Sequence, residues 1–273
     1  MIEFPNCKIN LGLHITKRRS DGYHNIETVF YPLPLTDTLE FIESTAFHFE
    51  CIGASMLGDL QQNLVVKAYQ SLKNDYPQIP PLSVCLLKNI PTGAGLGGGS
   101  ADASFMLSML NDFFALQITN EKLQGYALQL GSDCPFFIVN KPCIAKGRGE
   151  LLEPIVLDLS AYQFVCIQPP FPISTAWAFA NIKPIKPIKS VETIIQQPIH
   201  TWQEELVNDF ELPVFQQHPQ LKDIKNTLYK NGASYASMSG SGSCMFAIFE
   251  PSLLATVNLQ ELFPNCVIHR IPQ

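Results

Sequence analysis

Charge is scarce in this chain: Asp, Glu, Lys and Arg make up 15% of its 273 residues, against 46% hydrophobic residues. That balance excludes a disordered chain, which needs low hydrophobicity and high net charge to stay unfolded. No apolar run reaches the roughly 18 residues a spanning helix needs, so a membrane partner is not expected. The opening "MIEFPNCKIN" lacks both the basic and the apolar region of a signal peptide. Eight cysteines are scattered with no C-x-x-C pair, and no His/Cys spacing suggests zinc. They read as reduced, buried small hydrophobes, and the expected location is cytoplasmic. A Lys/Arg block is also missing. With 18 basic and 24 acidic residues the formal net charge is −6, which argues against a nucleic-acid partner. Phosphates remain accessible to such a chain if the positive charge is local.

Glycine is locally abundant. Residues 91–104, "PTGAGLGGGSADAS", hold five glycines in seven positions and run into a small-residue stretch of helical character. Before them, "NCKINLGLHIT" alternates through Ile9, Leu11, Leu13 and Ile15 with a strand period. "RRSDGYH" reads as a turn, and "TVFYPLPLTDTLEFIES" as further strand with its prolines at ends or edges. Asn63 is expected to cap a helix, and residues 82–91 to form a strand that ends at Pro91 and has Leu82, Val84 and Leu86 on one face. Helices are expected over 100–116 and from Thr119, the latter closing on Gly131, and "CPFFIVN" is expected as a strand. A fresh strand, "YQFVCIQP", begins a second domain, which divides the chain into 1–155 and 156–273. The last third alternates helix and strand: a helix closing on Gly232, a strand around a Gly-Ser turn over "SMSGSGSCMFAIFE", a helix over "SLLATVNLQELF" and a final strand, "CVIHRI". The class is α+β.

The glycine run is not a Walker A loop, since no Lys-Ser/Thr pair follows it. Gly93, Gly95 and Gly98 satisfy G-x-G-x-x-G, but the acidic strand end expected about 20 residues later in a dinucleotide site is absent. A nicotinamide enzyme is the poorer reading. A turn that merely allows close helix packing is the bland alternative. Three consecutive glycines oppose it, because ordering bare backbone costs entropy without side-chain contacts in return. An anion accepting several N–H bonds at a positive helix end offsets that cost. Ser100 adds a hydroxyl for phosphate or metal.

The same run resembles the central motif of the GHMP small-molecule kinases, P-x-x-x-G-L-G-S/G-S/G-A/S, and "CKINLGLHI" and "SMSGSGSCMFAIF" resemble the superfamily's first and third motifs. Taken with "DGYH" and "GSDCPFF", the set resembles the branch whose substrate carries a cytidine diphosphate group. The resemblance implies a two-lobed GHMP kinase fold, with an N-terminal ribosomal-protein-S5-like lobe that binds ATP and a C-terminal ferredoxin-like lobe that contributes to the substrate site. It implies ATP with Mg2+, the metal ligands being unassigned. It places Lys8 and Asp133 in catalysis, although Asp133 alone reads equally as a turn residue and Lys8 as a cation on the outer strand face. It places Asn63, Leu64, Lys88, Pro91, Gly93, Gly95, Leu96, Gly97, Gly98, Gly99 and Ser100 around ATP. It places Asn10, Tyr23, His24, Phe179, Gly240, Ser241 and Gly242 around the substrate, with Trp177 and Phe171 competing for the role of Phe179. Another kinase of the superfamily, acting on mevalonate or homoserine, and a catalytically silent nucleotide-binding module are the alternatives.

Overall fold

The computed structural model describes residues 1–53 and 60–271. Its strands in chain order are β1 (Ile2–Glu3), β2 (Asn6–Arg18), β3 (His24–Thr36), β4 (Thr38–Glu43), β5 (His48–Ile52) and β6 (Leu82–Leu87). They continue with β7 (Cys143–Lys146), β8 (Leu151–Pro154), β9 (Gln163–Gln168), β10 (Tyr235–Met238), β11 (Met245–Phe249) and β12 (Val267–Ile271). Among the described residues four α-helices precede β7: α1 (Leu64–Asp75), α2 (Gly98–Phe113), α3 (Asn120–Leu130) and α4 (Cys134–Val139). Packing divides the chain into two compact units. One comprises Met1–Cys7, Leu35–Thr92 and Gly97–Lys141, the other Lys8–Pro34, Gly93–Leu96 and Pro142–Gln273.

In the first unit the sheet order is β1-β4-β6-β5, and β5 and β6 are its parallel pair. The expected face of β6 is buried, with Leu82, Val84 and Leu86 all at 1% exposure or less. It packs with the apolar sides of α1, α2 and α3 in one core. The caps are as the sequence indicates. Asn63 Oδ1 accepts from Val65 N at 2.9 Å, Thr119 caps α3, and Gly131 ends it. "CPFFIV", expected as a strand, is instead α4. Six apolar residues carry no period that separates strand from helix, whereas Pro135 in the first turn suits a helix start.

The second unit holds two sheets, β2-β3-β7-β8 and β10-β11-β9-β12. Both prolines of β3 lie past its ladder with β7, which spans only Thr28–Phe30, so neither removes a bond from that ladder. The β9–β12 sheet is antiparallel throughout. Leu221, Ile224 and Leu228, spaced at helical intervals on the segment Pro219–Lys230, share a core with its β9, β10 and β11 strands. The expected helix over "SLLATVNLQELF" breaks into Pro251–Leu254 and Leu259–Leu262. Asn258 starts the second piece by accepting from Glu261 N, a cap that competes with helix continuation.

Candidate active site

Strand β2 is buried on both faces. Ile9, Leu11 and Ile15 are fully buried, and so are Cys7, Lys8, Asn10 and His14, all below 9% exposure. Lys8, at 3%, is therefore not an outer-face lysine. A buried ammonium needs polar partners. Lys8 Nζ donates to Asn10 Oδ1 at 2.7 Å and lies 4.7 Å from the centre of the Phe30 ring. Asn10 Nδ2 donates to Thr28 Oγ1 at 3.1 Å, and Thr28 Oγ1 donates to the Gly12 carbonyl at 2.5 Å. This chain of bonds fixes the ends of both side chains.

Parts of all three glycine-bearing motifs meet on this strand within the second unit. Lys8 N donates to the Leu96 carbonyl at 2.9 Å, and Cys244 N to the Ala94 carbonyl at 3.1 Å. The Ser239 hydroxyl donates to the Gly95 carbonyl at 2.8 Å. A Cβ on Gly240 would stand 3.3 Å from Gly95 Cα and 3.6 Å from Asn10 Oδ1. Ser241 shares a hydrogen bond with Thr175 at 3.0 Å, and the Ser243 hydroxyl donates to the Phe171 carbonyl at 2.7 Å.

The same unit builds an aromatic wall. His24 stacks on Phe179 with ring centres 5.2 Å apart and planes at 24°, and Phe210 supports Phe179 edge-on at 4.9 Å. A cavity of about 550 Å³ opens here, lined by Arg18, Gly22, His24, Phe179 and Lys183 among others. Burial first, and the Arg18 charge second, hold His24 below the ordinary histidine value, which favours a neutral ring. Tyr23 is exposed and lies under the Arg148 guanidinium at 4.7 Å. Phe171 turns to another partner, stacking on His218 at 5.0 Å, and Trp177 packs against the core of the unit. Of the three competing aromatics only Phe179 lines this cavity.

In the first unit Gly97 precedes α2, whose first turn carries Gly98, Gly99 and Ser100. The first helical N–H groups have no partner within the helix and point outward, the arrangement that receives phosphate. Beneath this turn is an ion cluster that sequence reasoning missed. The Lys88 ammonium pairs with Asp37 and, at 2.7 Å, with Asp102 on α2. Asp37 Oδ1 also accepts from Asn89 N at 2.6 Å and Ile90 N at 2.8 Å. Burial lowers the Lys88 value, yet the two carboxylates together carry it above the ordinary lysine value. Burial lifts Asp102 well above the carboxylate range despite the pull of Lys88. Leu64 lies at the start of α1 beside its Asn63 cap, and Pro91 joins the ion cluster to the glycine run.

Asp133 is half-buried at the start of α4, and its side chain makes no capping bond there. The Ser104 hydroxyl lies 2.8 Å from the Ser100 carbonyl and 2.7 Å from the Cys134 carbonyl, tying α2 to the start of α4. Cys7 and Cys134 are both fully buried, and burial pushes the Cys134 thiol up to about 11.

The family description GHMP kinases N terminal domain matches residues 63–141, and GHMP kinases C terminal matches residues 191–257. The 4-diphosphocytidyl-2-C-methyl-D-erythritol kinase of Bacteroides fragilis (strain ATCC 25285) is 51% identical over 255 residues, covering 92% of this chain and 93% of its own. The enzyme of that name from Parabacteroides distasonis is 48% identical over 268 residues, covering 98% of both. A crystal structure of 4-(cytidine 5'-diphospho)-2C-methyl-D-erythritol kinase superposes over all of both chains with a TM-score of 0.85 at 29% identity. Mevalonate kinase of Methanococcus jannaschii shares the fold, with a TM-score of 0.72 at 13% identity. The three motifs, the two matched domains and these full-length relatives agree, and the chain belongs to the GHMP kinases, within the family of 4-diphosphocytidyl-2-C-methyl-D-erythritol kinases.

Proposed function

We propose that the protein transfers the γ-phosphoryl group of ATP to the 2-hydroxyl of 4-diphosphocytidyl-2-C-methyl-D-erythritol, a step in non-mevalonate isoprenoid precursor biosynthesis. The observation that carries this reading is a near full-length match to kinases of that name, joined to a cavity walled by His24 and Phe179. A phenyl ring stacked on an imidazole held toward its neutral form suits a cytosine, which offers a π-face and a hydrogen-bonding edge. Tyr23 is assigned to the same recognition.

The acceptor is a tertiary alcohol, so holding it in line with the phosphorus matters more than raising its nucleophilicity. Asn10, Gly240, Ser241 and Gly242 take that holding role. Asp133 orients the hydroxyl and accepts its proton as the O–P bond forms, and Lys8 stabilises charge near the transferring group. Gly93, Gly95 and Leu96 through Ser100 receive the phosphates, with Pro91 leading the chain into them. Asn63, Leu64 and Lys88 are assigned to the adenine side. In Lys88 that contact falls to the stem and backbone, since the ammonium is engaged by Asp37 and Asp102.

Magnesium is proposed to enter with ATP. Among the described residues no three His, Cys, Asp or Glu side chains are grouped. The hard oxygen of Ser100 is of the kind magnesium takes alongside phosphates, so Ser100 and the phosphate oxygens would hold it. When bound, the ion neutralises charge on the transferring group. We assign residues 1–155 to an N-terminal domain that binds ATP and residues 156–273 to a C-terminal domain that contributes to a substrate site shared with Asn10, Tyr23 and His24. The eight cysteines are free thiols and no described helix is long and apolar enough to cross a membrane, both of which accord with a cytoplasmic enzyme.

The test is incubation with magnesium-ATP and the intact substrate, following ADP release and product phosphorus by NMR. The same substrate without its cytidine and an Asp133→Asn variant run alongside. Turnover is expected only with the intact substrate, and the variant should lose about 10²–10⁴-fold in kcat. Turnover of mevalonate or homoserine instead, or ATP binding without any ADP release, would overturn the reading.

A further inference from the structure

Residues 206–211, "LVNDFE", bury Leu206, Asn208, Phe210 and Glu211 in the second unit, and each polar side chain among them is bonded to a specific part of it. Asn208 is 2% exposed. Its Nδ2 donates to the Met238 carbonyl at 2.7 Å and to the Gly240 carbonyl at 2.8 Å, while its Oδ1 accepts from Phe210 N at 3.0 Å. All the hydrogen-bonding capacity of its amide protons thus goes to two carbonyls flanking Ser239, at the entrance to the third glycine motif. Glu211 holds the preceding strand from the other side, accepting from Met238 N at 2.9 Å and Ser237 Oγ at 3.0 Å.

The same segment is fastened to β2. Leu13 N donates to the Val207 carbonyl at 2.9 Å, Asp209 N to the Leu13 carbonyl at 2.8 Å, and Ile15 N to Asp209 Oδ2 at 2.7 Å. The contact is close enough to need a glycine: a Cβ on Gly12, whose φ is +63°, would come within 2.7 Å of Leu206 Cδ1. One segment therefore grips both the strand that carries Asn10 and the turn that carries Gly240.

We propose that Asn208 is a positioning residue for phosphoryl transfer, setting the separation between Asn10 on β2 and the Gly240–Gly242 backbone and thereby the affinity for the alcohol substrate. This rests on the assignment of Asn10 and Gly240 to the substrate side. Two carbonyl oxygens aimed at one point repel each other unless a donor lies between them, and the Asn208 amide is that donor. An aspartate at 208 keeps the acceptor for Phe210 N but turns an oxygen toward both carbonyls. The turn then opens while the packing volume is unchanged.

Asn208→Asp, Asn208→Ala and, as a control, Leu212→Ala are compared with wild type in steady-state kinetics. Calorimetric binding of the intact cytidyl substrate without ATP is measured in parallel. Both Asn208 variants should raise KM for the cytidyl substrate about tenfold or more, as expected for losing a buried hydrogen bond. Their KM for ATP should stay within about twofold; a merely lower folded fraction would lower the apparent kcat and move neither KM. Leu212, on the next helix, is 72% exposed and takes no part in these bonds, and Leu212→Ala should leave both KM values unchanged. Wild-type failure to bind the cytidyl substrate would sink the substrate assignment itself. Binding by wild type and by folded Asn208 variants with equal affinity would overturn only the positioning role. A wild-type measurement covers the case in which neither variant folds. The Asn208 side-chain amide resonance should shift on adding the cytidyl substrate and not on adding a non-hydrolysable ATP analogue, and a resonance indifferent to the cytidyl substrate overturns the proposal.

Discussion

The two halves of the glycine run use the same residue type for opposite ends. Gly95 is enclosed: its φ is +81°, its carbonyl accepts from Ser239, and a Cβ would fall 2.0 Å from the Ser239 carbonyl oxygen. Gly99 is open, with no atom within 4 Å of where its Cβ would be. The first lets two stretches of backbone touch. The second leaves room at a helix end whose N–H groups have no partner within the helix. A glycine-rich stretch is thus not one device, and each position answers to a different constraint.

Gly95→Ala is the harshest way to break the comparison. The new methyl meets backbone rather than a flexible side chain, and the left-handed φ alone costs about 1–2 kcal/mol. Activity should fall below detection, with a loss of folded protein in thermal melts. An active, stable variant would mean that the Ser239 contact is dispensable. Next comes the support under the open half. Lys88→Met leaves Asp37 and Asp102 buried without their cation, which should cost about 3–5 kcal/mol in urea unfolding. Asp102→Asn is milder and its effect depends on pH. Because the Asp102 value is raised in the folded protein, the native state binds more protons than the unfolded chain above the ordinary carboxylate range. The associated stability is fully present below that range and is lost as pH rises through the raised value. Asp102→Asn should remove this slope, so the variant gains on wild type as pH rises from 5 to 8, and parallel pH profiles would refute it.

Much of the local structure was legible because its causes are local. The Asn63 and Thr119 caps, the Gly131 stop and the buried face of β6 all follow from neighbours within a turn or a strand. The α4 segment was misread because six apolar residues carry no usable period, and the informative residue was Pro135. The candidate site is legible only through the resemblance. Burial of Lys8 depends on Asn10, Thr28 and Phe30, which alternation along β2 does not reveal. Asp37 reaches Lys88 across 51 positions, and Asn208 reaches Met238 across 30. No spacing rule pairs residues so far apart.

Gly99→Ala should have the smallest effect on the fold and is the sharpest probe of the open half. Alanine replaces glycine in the first turn of α2, where nothing obstructs the methyl. Relief of glycine's backbone entropy should make the variant as stable as wild type or more so, by up to about 0.5–1 kcal/mol. The methyl stands over helix-end N–H groups, so phosphate can no longer approach them as closely. KM for ATP should rise about tenfold while KM for the cytidyl substrate holds, the loss expected when one phosphate–backbone hydrogen bond is weakened. A rise in stability together with weaker ATP binding would show that this glycine is kept for its ligand at the expense of the helix. Unchanged ATP affinity would move the phosphate elsewhere along the run, toward the enclosed half.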